Sequence, residues 1–172
     1  MKHYLGGVVM ALAVFLSGCR TGNTTTATTT VVTSVVAAGA QYTPSRITDE
    51  NLLSDVLVTV TPAVVTESEQ EFNVTMTNTS DVTYQYGVFT HLDVLVDGAW
   101  VEYPLIEGVQ WIMIAYWCEP GATVEFLGDL DSLYGKLPAG KYRLAKELIP
   151  RNELDRPSGA AGYALAEFEV KP

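Results

Sequence analysis

A handful of side chains have the type and spacing that chemistry requires, and each also has a simpler structural use. The sequence contains two histidines, His3 and His91. An imidazole can act as a base, but an enzyme also needs a nucleophile, a metal cluster or paired carboxylates converging on a cleft. The sequence has no Gly-x-Ser-x-Gly, His-Glu-x-x-His, phosphate-loop or dinucleotide motif. Asp129 and Asp131 have the spacing of the first two calcium-loop ligands, but the third acid and the loop glycine are missing, so they read as a solvated turn. Glu67, Glu69 and Glu71 fall on one side of an extended segment, where they keep an edge strand soluble. Cys118 has no basic neighbour in sequence to lower its thiol pKa, and reads as a small buried hydrophobe. The sequence therefore assigns no catalytic residue, no metal and no cofactor. A hydrolase assembled from dispersed acids is the remote alternative.

Binding fits the remaining features better. Residues 136–156 hold six basic residues against three acids in a chain of net charge -10. Lys141 and Arg143 alternate onto one face of a strand. With Arg151 and Arg156 they form a candidate contact for wall phosphates or an acidic partner. The competing use is pairing with acidic neighbouring strands. Ile149 to Gly162 reads as the longest loop, joining the last two strands, where related folds carry recognition loops. Trp111, Tyr116 and Trp117 raise carbohydrate stacking. Strand alternation puts the two tryptophans on one face and Tyr116 on the other, and core packing is the competing use of the pair. A pI near 4.5 leaves no basic face for nucleic acid.

These side chains need a scaffold, and the hydropathy pattern supplies one. Lys2 precedes a charge-free apolar run, Leu5 to Leu16, too short for the roughly 20 residues of a membrane-spanning helix but suited to a signal-peptide core. Residues 1–18 are thus expected to be a leader. Residues 19–45, low in complexity and rich in threonine, are expected to be a disordered tether. Beyond them, alternation predicts strands at Asp55–Thr61, Glu71–Thr77, Leu92–Val96, Ala99–Tyr103, Thr123–Leu127, Lys141–Leu148 and Tyr163–Val170. Trp111–Cys118, apolar on both faces, suits a central strand. Asp97-Gly98 predicts a type I′ hairpin and Pro120-Gly121 a turn. The fold class is all-β: an antiparallel sandwich of about 7–9 strands, filling residues 46–172.

Two stretches carry resemblances. Leu16-Ser17-Gly18-Cys19 closely resembles the lipobox of bacterial lipoproteins. This implies cleavage before Cys19, a diacylglyceryl group on its thiol, and anchoring at the extracellular face of a bacterial membrane. Leu137-Pro138-Ala139-Gly140-Lys141-Tyr142 resembles the tyrosine corner of immunoglobulin-like folds, in which the Tyr142 hydroxyl bonds backbone a few residues upstream. Further motifs are Tyr84-x-Tyr86-Gly87, Val96-Asp97-Gly98-x-Trp100, Ile114-Ala115-Tyr116, Pro120-Gly121, Tyr134-Gly135 and Gly140 to Glu147. With them, about Asn73 to Val170 is similar to the bacterial immunoglobulin-like domain family of Gram-positive surface proteins. Asp93, where that pattern suggests a longer acid, and Cys118, in an apolar strand position, depart from it. The resemblance implies an adhesive or accessory module without catalysis. Its partners would be the membrane through Cys19 and an extracellular protein, a wall polymer or a carbohydrate. A protease inhibitor on a similar sandwich is the alternative.

Overall fold

A computed structural model describes residues 42–126 and 130–172. The expected leader, Cys19 and the tether up to residue 41 lie outside the described residues, as does Asp129. The described strands are β1 (Thr43–Pro44), β2 (Val56–Thr61), β3 (Val64–Thr66), β4 (Asn73–Asn78), β5 (Thr83–Gly87), β6 (His91–Val96), β7 (Ala99–Glu102), β8 (Ala115–Cys118), β9 (Thr123–Phe126), β10 (Gly140–Arg151) and β11 (Gly162–Lys171). One short helix, α1 (Leu130–Tyr134), precedes β10. They form an all-β sandwich: a three-stranded sheet, β2-β4-β9, faces an eight-stranded one.

The small sheet follows from its alternation. Val56 and Val60 on β2 and Val74 and Met76 on β4 point inward and are buried, while Leu57 between them is exposed. The larger sheet is organised by β10, twelve residues long. Its first half pairs with β6 (Tyr142↔Val94), its end with β5 (Leu148↔Tyr86), and its other edge with β11 from Gly140 to Leu148. Tyr142, Leu144 and Leu148 on its inner face meet the small sheet and are fully buried. The Tyr142 hydroxyl donates to the Pro138 carbonyl at 2.7 Å, tying the approach turn to the strand. A Cβ on Gly140 would lie 3.2 Å from the Tyr142 ring, so any larger residue there must push the ring by a few tenths of an ångström. The hairpin between β6 and β7 turns on Asp97 (φ 49°) and Gly98 (φ 82°), the positive-φ pair of a type I′ turn.

Several expectations change. Thr43–Pro44 pairs with Glu102–Val101, so the last residues assigned to the tether belong to the sheet. Thr83–Gly87, too short and mixed to stand out, is a strand. β3 runs parallel to β11, so the sheets are not antiparallel throughout. Glu67 to Gln70 form a turn, in which the Glu67 carboxylate accepts the Ala139 amide at 2.7 Å. Only the last four residues of Trp111–Cys118 are strand, and β8 is an edge strand paired with β5 alone. A run apolar on both faces does not reveal which neighbours it has. Finally, β10 continues to Arg151, which leaves a ten-residue loop before β11, shorter than the strand-free connection of residues 103–114.

Candidate functional site

Alternation along β10 sends Lys141, Arg143, Ala145, Glu147 and Ile149 to the outer face of the large sheet, away from the sandwich core. One half of that face is covered by the segment that leads into β2. Ile47 packs on Ala145, Tyr163 and Leu165. Beneath it, Arg143 donates to the Asp93 carboxylate at 2.8 Å, to the Ser45 hydroxyl at 2.9 Å and to the Ile47 carbonyl at 3.2 Å. Its guanidinium also lies 4.8 Å from the centre of the Trp100 ring. Arg143 and Asp93 face each other in register across β10 and β6, which suits an acid as short as Asp93.

The expected basic stripe is therefore not a surface. Arg143 is buried and ion-paired because a central strand under a covering segment has no solvent face there. Lys141 and Arg156 are exposed, but Lys141 is the second residue of β10 and Arg151 its last, roughly 33 Å apart at strand spacing. Arg151 donates to the Asp155 carbonyl at 3.2 Å and lies 4.0 Å from its carboxylate. The loop of residues 152–161 is braced internally, with the Asn152 side chain accepting the amides of Leu154 and Arg156, each at 3.0 Å.

The other half of the outer face is open. Gly87 and Ala115 sit side by side on β5 and β8 and leave a trough of about 600 Å³ above the sheet. Its floor is Gln85, Gly87, Glu147 and Ile149, its far wall is the segment from Trp111 to Ile114, and Arg46 stands at the covered end. Trp111 rests on Phe89 with ring centres 4.6 Å apart. Phe89 meets His91 edge-on at 4.7 Å, and His91 meets Tyr163 edge-on at 5.3 Å. Around this braced row, Trp111 is 42% exposed, Ile112 65% and Met113 94%. Trp117, on the outer face of β8, is 45% exposed, and its indole N–H donates to Asp155 at 3.1 Å. Tyr116, on the opposite face, stacks on Tyr86. The tryptophan pair, for which core packing is the competing use, is thus at the surface: Trp117 lies on the outer face of edge strand β8, whose inner face sends Cys118 into the core with Val56 and Met76.

The trough's electrostatics are simple. Arg46 and Glu102 form two hydrogen bonds, 2.6 and 3.1 Å, which push the Arg46 pKa up and hold the Glu102 carboxyl below its usual range. Burial, helped by the nearby Arg46 charge, lowers the His91 pKa to about 4, so its ring is neutral at neutral pH. Glu147 accepts the Tyr163 hydroxyl at 3.3 Å and has no cationic partner among the described residues. The Gln85 Oε1 is buried without a donor. Cys118 is fully buried, and burial pushes its thiol pKa up, away from reactivity. No cluster of three or more potential metal ligands occurs among the described residues.

One functional side chain escaped sequence reasoning. Lys146 faces inward and is only 2% exposed. Its ammonium donates to the carbonyls of Gly87 (3.2 Å), Val88 (2.7 Å) and Phe89 (3.0 Å) and lies 4.7 Å from the centre of the Phe126 ring. Burial lowers its pKa to about 8. This ammonium holds the β5–β6 connection that carries Phe89, and so the near wall of the trough. The available signal was register, since Lys146 lies between Leu144 and Leu148 on the inward-facing positions of its strand.

Residues 53–162 match the family described as bacterial Ig-like domain. The chain belongs to that family. No curated protein matches the sequence. Such domains are typically non-catalytic, and the family supports a binding or accessory module. In this Ig-like domain the matched region holds the tyrosine corner, the trough floor and the Trp111–Ile114 wall. Ser45, Arg46 and Ile47, which cover the other half of the face, precede it.

Proposed function

We propose that this protein is a lipid-anchored lipoprotein on the outer face of a bacterial membrane, and that its Ig-like domain binds a partner, without catalysis, through the trough. The observation that carries the reading is the uncovered half of the outer sheet face, with Trp111, Ile112, Met113 and Ile114 all more than two-fifths exposed beside the cavity. Contiguous apolar surface beyond a few hundred Å² is rare on monomeric proteins and marks interaction sites. Support for the anchor is Leu16-Ser17-Gly18-Cys19 following an apolar leader-like run. Two acyl chains hold a protein stably at a bilayer, where one does not.

Each half of the proposal has its own test. A Cys19→Ser chain will be recovered soluble or uncleaved, and a variant that is cleaved yet still fractionates with membranes sinks the anchor. The Ile112→Asp/Met113→Asp chain will keep wild-type stability within about 0.5 kcal/mol, because both side chains are exposed, and will lose retention of cell-surface extract. Unchanged retention excludes the trough as the binding surface. Met113, almost fully exposed at the crest of its connection, also suits presentation to an enzyme cleft. Inhibition of secreted proteases that the same variant abolishes would favour an inhibitor.

A further inference from the structure

We propose that the trough receives an extended segment of a partner polypeptide in which a lysine or arginine lies between apolar residues, its cation on Glu147. This rests on the trough being the binding surface and adds the chemistry of what enters it. The floor offers one open carboxylate: Glu147 is exposed, accepts the Tyr163 hydroxyl at 3.3 Å and has no cationic partner among the described residues. Leu148 pairs with Tyr86, so Glu147 lies beside Gly87, whose missing side chain leaves the carboxylate open to the trough.

The other ionisable groups do not compete for that cation. Arg46 is held by Glu102 at the end of the trough, and His91 is enclosed by Phe89 and Tyr163 with a neutral ring. The site thus carries the one unpaired charge of Glu147, within a chain of net charge -10, and complements a basic ligand. The walls decide what carries the cation. Leu105, Ile112, Met113, Ile114 and Ile149 are aliphatic or thioether groups, suited to the stem of a lysine or arginine and to its apolar neighbours. A sugar chain needs flat rings and many polar partners. Here Trp111 already has Phe89 resting against it, and the floor presents the single exposed carboxylate of Glu147. The cavity lies within the roughly 300–1,000 Å³ of small-ligand sites. The exposed Ile112 and Met113 extend beyond the cavity, however, and a chain passing over the trough covers them.

A random nonapeptide phage library panned on the immobilised full chain tests this. Enriched peptides will carry Lys or Arg flanked by apolar residues. A synthetic copy of one will bind the Glu147→Gln chain about tenfold more weakly or worse, and its own Lys→norleucine version will lose no further affinity there. Gly87→Leu will abolish binding by filling the trough. It is sterically mild, since a Cβ at Gly87 meets nothing closer than the Ile114 carbonyl at 3.8 Å. Thermal midpoints confirm that both variants are folded. Enrichment without a basic residue, or equal binding by Glu147→Gln, overturns the cation pairing and leaves the binding surface standing, provided Gly87→Leu still blocks it. Enriched peptides indifferent to Gly87→Leu and to Ile112→Asp/Met113→Asp overturn both. Absence of enrichment, or binding of an oligosaccharide from a glycan array that Trp111→Ala removes, overturns the polypeptide.

Discussion

Replacing Lys146 by methionine sets two large terms against each other. The ammonium is 2% exposed, and burial lowers its pKa from 10.5 to about 8. That corresponds to about 3 kcal/mol of destabilisation at neutral pH, which methionine would relieve. Against it stand three bonds to consecutive carbonyls at 2.7–3.2 Å. Hydrogen bonds to a charged group contribute about 1.5–3 kcal/mol each. The carbonyls win, and Lys146→Met is expected to unfold about 2–5 kcal/mol more easily at pH 7. Urea unfolding followed by tryptophan fluorescence measures this, in a Cys19→Ser background recovered from the soluble fraction. The pH dependence separates the terms. Between about 8 and 10.5 the unfolded state holds a proton that the folded state has released, so wild-type stability rises with pH in that window. The gain is at most about 2 kcal/mol by pH 9.5. Above about pH 10 it reverses. Burial raises the pKa values of Tyr84, Tyr134 and Tyr142, so their unfolded counterparts ionise first. Lys146→Met should show no rise between pH 8 and 9.5. A variant at least as stable as wild type at pH 7 refutes the carbonyl pin, and a rise that survives the substitution assigns it to another group.

Breaking the buried ion pair by Arg143→Met should cost about 3–5 kcal/mol, because the Asp93 carboxylate, 2% exposed, keeps only the Ser45 hydroxyl and loses its counter-charge. Arg143→Met/Asp93→Leu should recover much of that loss in the same urea assay. Tyr142→Phe, which removes the 2.7 Å bond to Pro138, should cost about 1–2 kcal/mol without changing the far-ultraviolet circular dichroism. The low His91 pKa means that the unfolded state takes up a proton first on acidification. Stability should therefore fall as pH drops from 6.5 towards 4, and His91→Gln should flatten that part of the profile. In the Cys19→Ser chain, Cys118 should react with a thiol reagent only as fast as the protein opens, since it is fully buried. Prompt labelling under native conditions would contradict that burial.

Much of the scaffold is legible without coordinates, because its signals are local. Val56, Val58 and Val60 alternate with polar or exposed partners, Asp97-Gly98 specifies its turn, and Gly140-x-Tyr142 specifies the hydroxyl bond to Pro138. The site is less legible. Lys141, Arg143, Arg151 and Arg156 look alike in sequence, yet one is buried against Asp93, one is held at a loop end and two are exposed. Trp111 to Ile114 reads as core because an apolar run shows no face, and only the position of β8 at the sheet edge exposes it. The floor of the trough needed the pairing register, which sets Gly87 beside Ala115 and Glu147 beside Gly87 although they are separated by tens of residues. By itself, the sequence determined the fold class, the strand faces and the absence of a recognisable catalytic motif, since periodicity and turn chemistry act within a few residues. Tertiary structure alone decided which charges are buried and which apolar side chains are uncovered, because both depend on what the folded chain places over a given face.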